Sequence, residues 1–336
     1  MSRLNYTVYT EALLLRHADL FRPFLGVVGL APEVLERPDV IIPLSKYNAL
    51  LEVAAAQLDP DLGLRMGLGL LAGAPGDILL GGFGHAARSA SSVRAMLDFG
   101  SRYMVVHAQA NELTWQVRGS HLEICYRLTD PSITERRQDA EYALAVLYTR
   151  LMECTAGRFS LARVDFAHPQ PASTALHRQA FQCPVRFEQS SNALVWPAAM
   201  LDEPLVTADP RLFQALLPGL EEQRKRRVAD NDLAMRISLA IETDLKGGKV
   251  ALEEVASQLC MSKRTLQRRL SELNVEFNEL VEEVRQARAL DLVRHSSLSL
   301  TEIAMRLGYY EASSFTRAFR RWTGLTPRDY RQQYQQ

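Results

Sequence analysis

One pattern occurs twice in the last hundred or so residues, and it constrains the chain more than any other feature. In the run from Leu252 to Leu270, two short segments of helical apolar spacing flank a tight break at Cys260 and Met261. Val255, Ala256, Leu259, Met261, Leu266 and Leu270 are spaced to share one small core. Ser262 stands where it can cap the second segment. Lys263, Arg264, Gln267 and Arg268 then fall on the outer face, near the N-terminus of that second helix. This is a helix-turn-helix pattern, and that helix end is the one presented to the major groove of DNA. Arg pairs with guanine and Gln with adenine through two hydrogen bonds each. A single such pattern also fits an ordinary solvated helix face.

The recurrence from Ser299 to Gly324 changes that balance. Ser299 and Glu302 have the spacing of a capping box. Ile303, Ala304 and Leu307 repeat Val255, Ala256 and Leu259, and Phe315 and Phe319 repeat Leu266 and Leu270. Gly308 supplies the break, where a positive φ costs a glycine little. Ser313, Ser314, Thr316, Arg317, Arg320 and Arg321 lie on the second helix or its outer face. The stretch 277–295 between the two patterns reads as one helix, about 28 Å long at ~1.5 Å per residue. With the width of the flanking helices, that spacer holds two recognition helices one turn of B-DNA apart, about 34 Å. Every segment after residue 232 reads as helix, near 232–246, 252–259, 262–273, 277–295, 301–307, 313–322 and 327–333.

The earlier part of the chain is mixed. Residues 10–28, 45–58, 91–109 and 135–155 show helical spacing, and a short helix is expected near 174–181. Residues 112–117 and 122–128 alternate like strands around a hairpin signal at Arg118-Gly119-Ser120-His121. Residues 161–166 read as a strand, and 185–188 with 193–196 as a second hairpin. The expected architecture is an α+β first domain over 1–217, a linker over 218–231, and an all-α domain over 232–336 with two helix-turn-helix units on a long helix. The boundary rests on Pro218, Gly219 and the run Arg224, Lys225, Arg226 and Arg227, read either as a solvated linker or as a phosphate contact.

Charge agrees with this division. The chain is neutral overall, with 39 basic and 39 acidic residues. From Leu233 onward there are sixteen basic and thirteen acidic residues, a net +3, which leaves −3 for the remainder.

Residues 232–333 resemble the DNA-binding domain of the AraC/XylS family of bacterial transcription regulators. The resemblance is carried by Leu300 to Tyr309, by Ser313 to Arg331, and by Met261 to Leu270. Two positions depart from the family pattern: Ala251 stands where Ser or Thr often caps, and Cys260 where Gly is common in the turn. Neither is an outward contact residue. The first domain resembles the effector-binding domain of the ornithine-utilisation-regulator, arabinose-binding-like type. That resemblance rests on Gly76 to Leu97, Val164 to Pro169, Phe181 to Phe187 and Asn192 to Asp202. It implies a cytoplasmic, homodimeric, effector-responsive activator that binds promoter DNA and RNA polymerase, with no cofactor.

Other chemistries find no footing in the sequence. Cys125, Cys154, Cys183 and Cys260 are scattered, without a CxxC pair, and are expected as reduced thiols. His85, His107, His121, His168 and His177 show no metal-ligand spacing. The glycines at 76, 81, 82 and 84 make no phosphate-cradling loop. No nucleophile elbow occurs, and Glu135, Asp139 and Glu141 are expected on an exposed helix face. No apolar run approaches the roughly 20 residues of a membrane span, so no membrane partner is expected. Tyr103, His107, Trp115, Tyr126 and Arg127 are the candidates for an effector pocket, against the alternative that the aromatics are core and Arg127 pairs with a carboxylate. Three functions remain open: a ligand-responsive transcription regulator, an enzyme fused to a DNA-binding domain, and an effector-independent DNA-binding protein.

Overall fold

The computed structural model describes residues 7–9, 14, 17–36, 40–71, 81–130, 133–245, 250–272, 275–296 and 298–334. It divides into two compact units, Tyr6–Val228 and Ala229–Gln336.

In the first unit the chain runs β1 (Thr7–Tyr9), α1 (Ala18–Phe21), β2 (Ile41–Pro43), α2 (Leu44–Gln57), α3 (Leu62–Gly67), α4 (Gly81–Arg88) and α5 (Val93–His107). It continues through β3 (Asn111–Arg118), β4 (His121–Leu128), α6 (Arg137–Cys154), β5 (Arg163–Asp165), α7 (Ala175–Phe181), β6 (Val185–Arg186) and β7 (Asn192–Pro197). Of the helix expected over 10–28, the described residues 17–28 form one turn of α and two 3-10 turns, with Pro23 and Gly26 at the interruptions, and residues 10–13, 15 and 16 lie outside the described residues. The segment around Gly76 lies outside the described residues; Gly81, Gly82 and Gly84 sit in α4.

The main sheet has the order β3-β4-β7-β5-β6. β3 and β4 form the expected hairpin, turning at Gly119 with φ +59°. The second expected hairpin does not form. β6 instead pairs in parallel with β5, and β7 lies between β4 and β5, antiparallel to both. Alternation marks a strand without naming its partner. The four consecutive buried residues Ala193 to Trp196 fit this central position, covered on both faces.

Helix α6 packs across this sheet and is clamped by α3. A Cβ on Gly63 would lie 2.2 Å from the Gln138 carbonyl oxygen, and one on Gly67 would lie 2.6 Å from the Ala145 Cβ. Only glycine permits so close an approach. The Gly63 N–H donates to Gln138 Oε1 at 2.7 Å, which fixes the register of the two helices.

The second unit begins within α8 (Pro210–Leu245) and continues through α9 (Leu252–Gln258), α10 (Lys263–Glu272), α11 (Phe277–His295), α12 (Leu300–Arg306), α13 (Ala312–Thr323) and α14 (Pro327–Tyr334). The expected solvated linker is therefore helical, and its residues up to Val228 belong to the first unit. Pro218 costs an interior helix roughly 3 kcal/mol. Here Leu220 is buried among Phe83, Phe99 and Tyr103, with Phe213, Leu216 and Leu217 packed beside it, and this burial offsets the penalty. Arg224 and Arg226 pair with Glu221 and Glu222, and Arg227 is buried, so most of the basic run is engaged locally.

Helix α11 serves two cores. Its first half gives Leu280, Val281 and Val284 to the core of α9 and α10. Its second half gives Ala289, Leu292 and Val293 to the core of α12 and α13.

Candidate functional site

The two helix-turn-helix units have the geometry expected of them. In the first, the Met261 N–H bonds the Ala256 carbonyl at 2.8 Å, and in the second the Tyr309 N–H bonds the Ala304 carbonyl at 3.0 Å. This six-residue closure ends a helix around one residue in the left-handed region. That residue is Cys260 at φ +55° in one unit and Gly308 at φ +79° in the other. Ser262 Oγ accepts from the Thr265 N–H at 3.1 Å and caps α10 as expected. Ser299 and Glu302 complete the capping box on α12.

With Leu266 and Leu270 buried, Lys263, Arg264, Gln267 and Arg268 are exposed along α10. With Phe315 and Phe319 buried, Ser313, Arg317, Arg320 and Arg321 are exposed on α13, and Ser314 and Thr316 are half-buried. Lys263 pairs with Glu253, Arg268 with Glu272, and Arg321 with Glu282. Exposed pairs of this kind contribute about 0–1 kcal/mol, so a phosphate or base edge displaces them at little cost. Among the described residues no ion pair engages Arg264, Arg317 or Arg320; Arg317 donates to Ser314 Oγ at 3.3 Å. The Thr316 hydroxyl donates to the Ala312 carbonyl, so its proton is spent inside the helix. The sequence reading passed over Tyr310, which is 95% exposed in the turn before α13, and Arg269, exposed on α10.

The first unit contains a cavity of about 110 Å³. Of the five pocket candidates, His107 and Tyr126 line it. Burial, with Arg227 nearby, pushes the His107 imidazole down to about 4, so it is neutral at pH 7. Tyr126 Oη donates to Asp139 Oδ2 at 2.8 Å. The other three candidates lie elsewhere. Tyr103 is buried beside Leu220, and its hydroxyl donates to Glu221 at 2.9 Å. Trp115 Nε1 donates to Asp98 at 3.2 Å. Arg127 is exposed and pairs with Glu112 at 2.6 Å. Neighbours on a strand point to opposite faces, so Tyr126 and Arg127 never shared one pocket.

Of the three acids expected on an exposed face, Glu135 is exposed, but Asp139 and Glu141 on α6 are not. Asp139 is 3% exposed and Glu141 0%. Glu141 is tied to Arg137 at 2.8 Å and to His177 Nε2 at 3.0 Å, with His168 Nε2 at 3.5 Å. All of these pairs fall on Glu141 Oε1, while Glu141 Oε2 and His177 Nδ1 are buried without a hydrogen-bond partner among the described residues; no metal-binding group occurs among the described residues. Asp139 faces the cavity. Burial pushes its carboxyl up to about 6 despite the Tyr126 hydrogen bond. α6 is covered on more than one side, by α3 and by the sheet, so Asp139 and Glu141 have no solvent face to occupy, whereas Glu153 near its end is half-buried. Its cavity stripe is Asp139, Tyr142, Ala143, Val146, Leu147 and Arg150. The spacing of three, four, seven, eight and eleven residues is one helical face. That spacing was visible in the sequence; the depth at which it would be buried was not.

Comparison with known proteins agrees with both parts. Residues 21–205 match the model of the arabinose-binding domain of AraC transcription regulators, and residues 255–333 match a helix-turn-helix domain. The HTH-type transcriptional regulator VirS of Mycobacterium tuberculosis is 33% identical over 97% of this chain and 95% of its own length. The ornithine utilization regulator of Pseudomonas aeruginosa is 30% identical over 98% of each chain. The crystal structure of the transcriptional regulator CdpR from Pseudomonas aeruginosa covers 94% of this chain and 98% of its own, at 23% identity and a TM-score of 0.43.

Proposed function

The chain belongs to the AraC family of transcription regulators, and we propose that it is a ligand-responsive activator whose two recognition helices read successive major-groove segments on one face of promoter DNA. The observation that carries this reading is the pairing of α10 and α13 on one spacer helix, each with exposed arginines near its outer face. Arg268 and Arg317 are the base readers, with Gln267 beside them, while Arg320 and Arg321 hold phosphates. Lys263, Arg264 and the hydroxyls of Ser313 and Ser314 position the helices on the backbone.

The first unit is the effector and dimerisation domain, and the cavity between α4, α5, β3, β4 and α6 is the effector site. The protein works as a cytoplasmic homodimer that contacts RNA polymerase and performs no catalysis. No helix among the described residues is long and apolar enough to cross a membrane.

Footprinting tests the DNA reading. Arg268→Ala and Arg317→Ala should each change base preference at one position, whereas Arg320→Ala should weaken all sequences equally and lower the salt slope by about one. Unchanged footprints in both reader variants would sink the assignment.

A further inference from the structure

The cavity in the first unit carries a chemical preference that is legible in its walls. Its α6 stripe has an apolar middle, Ala143, Val146 and Leu147, between a carboxyl at Asp139 and a guanidinium at Arg150. These ends are about 16 Å apart along the helix axis, from eleven residues at ~1.5 Å each. α5 and β3 extend the apolar wall with Met96, Leu97, Met104 and Leu113.

Asp139 is buried among aromatic side chains. Tyr126 donates to it, and Tyr47 and Tyr142 line the same cavity. The charged groups near it are Glu52, which disfavours its ionisation, and Arg136, which favours it. The Arg136 guanidinium is committed to the carbonyls of Ile133, Leu128 and Asp130, and among the described residues no ion pair is made to Asp139. His107, also on the wall, is neutral. A buried carboxylate without a cationic partner opposes folding. A structural role does not require it, because an asparagine would accept the same Tyr126 hydrogen bond with no charge to bury. A second acceptor stands on the wall: the Oδ1 of Asn111 is buried without a hydrogen-bond partner among the described residues. Asn111 is two residues from Leu113, the register partner of Tyr126.

We propose that the effector is an aliphatic amine, with its ammonium group held by Asp139 within the tyrosine cluster and its apolar body laid along the α6 stripe. The inference rests on the reading of this cavity as the effector site. An ammonium supplies the missing cation and donates to the buried acceptors Asp139 and Asn111 Oδ1. At the other end of the stripe Arg88 and Arg150 both pair with Glu153, so two guanidinium groups share that carboxylate and Asp139 is the acid on the cavity wall open to a cation.

The test is calorimetric titration of the full chain with hexylamine, hexanol and hexanoate at pH 7.5, in the wild type and in Asp139→Asn. Hexylamine should bind at least tenfold more tightly than hexanol or hexanoate. Asp139→Asn should remove that advantage and leave hexanol binding unchanged, which also shows that the variant is folded. Between pH 7.5 and 5 the wild type should lose hexylamine affinity about tenfold, as a carboxyl with a pKa near 6 takes up its proton. The variant should show no such loss. Equal binding of hexylamine and hexanol, an unaltered hexylamine affinity in Asp139→Asn, or no binding of any of the three overturns the proposal. Filling the cavity with Ala143→Phe separates this from failure of the underlying reading. A variant that still regulates its promoter as the wild type does would show that the cavity is not the effector site at all.

Discussion

The two helix-turn-helix units share one plan and are built to different standards. The second has the capping box of Ser299 and Glu302, a glycine in its left-handed turn, and an aromatic core in which Phe319 meets Phe315, Trp322 and Tyr330. The first begins at Ala251 with no side-chain cap, turns through Cys260, and has an aliphatic core of Val255, Leu259, Leu266 and Leu270. Only at the recognition helix is the order reversed: Ser262 caps α10, while Glu311 gives α13 no side-chain cap. The first unit is thus the softer reader held on a shared spacer, and the second is its rigid anchor. That difference in local stability can be measured position by position.

The largest effect is expected in the cores. Phe319→Ala should cost about 3–5 kcal/mol and Leu270→Ala about 2–5 kcal/mol, because both side chains are buried and leave cavities. The informative quantity is where each loss is felt. Hydrogen exchange should show Phe319→Ala opening α12, α13 and α14 while α9 and α10 keep their protection. Simultaneous loss of protection in both units would show that α11 couples them into one cooperative block.

At the DNA surface, Arg317→Ala and Arg268→Ala should each weaken specific binding by about 1–3 kcal/mol. Rigid presentation of Arg317 by the anchored unit places its loss toward the upper end and that of Arg268 toward the lower. Competition binding against single-base operator variants measures both. A larger loss for Arg268 would reverse the ranking of the units.

Much of this contrast was legible in the sequence, because it lies in residue types at fixed offsets. Ser299 with Glu302, Gly308, and the apolar repeats at 255, 256, 259 and 303, 304, 307 each act through local backbone geometry that periodicity reports directly. The first unit of the chain was less open to that reasoning. The sheet order depends on long-range pairing, so Val185 and Ala193 were placed in one hairpin when they belong to separate pairings. The acids of α6 were given to solvent because charge ordinarily marks an exposed face. What buried them was packing between distant segments, with Tyr126 of β4 over Asp139 and His177 and His168 over Glu141, partners that helical spacing does not report. Of the pocket candidates, aromatic character alone drew in Tyr103 and Trp115, whose polar atoms are satisfied elsewhere by Glu221 and Asp98.

The caps give the next effect. Ser299→Ala removes an acceptor for the Glu302 N–H and should cost about 1 kcal/mol, within the 0.5–2 kcal/mol range for such caps. Ala251 has an extended backbone at the N-cap, φ −109° and ψ 138°, so a serine there finds the correct geometry already in place. Ala251→Ser should therefore stabilise α9 by up to about 1 kcal/mol. Chemical denaturation of both variants checks the pair. If Ser299→Ala is silent, the capping box contributes nothing beyond what water supplies.

The smallest effect belongs to the turn, and it asks whether the first unit's softness is set by one residue. Cys260 holds a left-handed conformation that costs a residue with a Cβ about 1–2 kcal/mol. A glycine there removes that cost but adds conformational freedom to the unfolded chain, which lowers stability by about 0.5–1 kcal/mol. The difference favours Cys260→Gly by roughly 0.5–1 kcal/mol. Because the cysteine side chain is exposed, no buried packing is lost to confuse the result. Gly308→Ala makes the opposite change in the second unit and should destabilise it by a similar or larger amount, since a side chain then enters the same left-handed turn. Thermal unfolding of the two variants, compared with hydrogen exchange at Met261 and Tyr309, measures each turn separately. A Cys260→Gly variant no more stable than the wild type would mean that the first turn is already relaxed around its cysteine. The asymmetry between the units would then reside in their caps and cores.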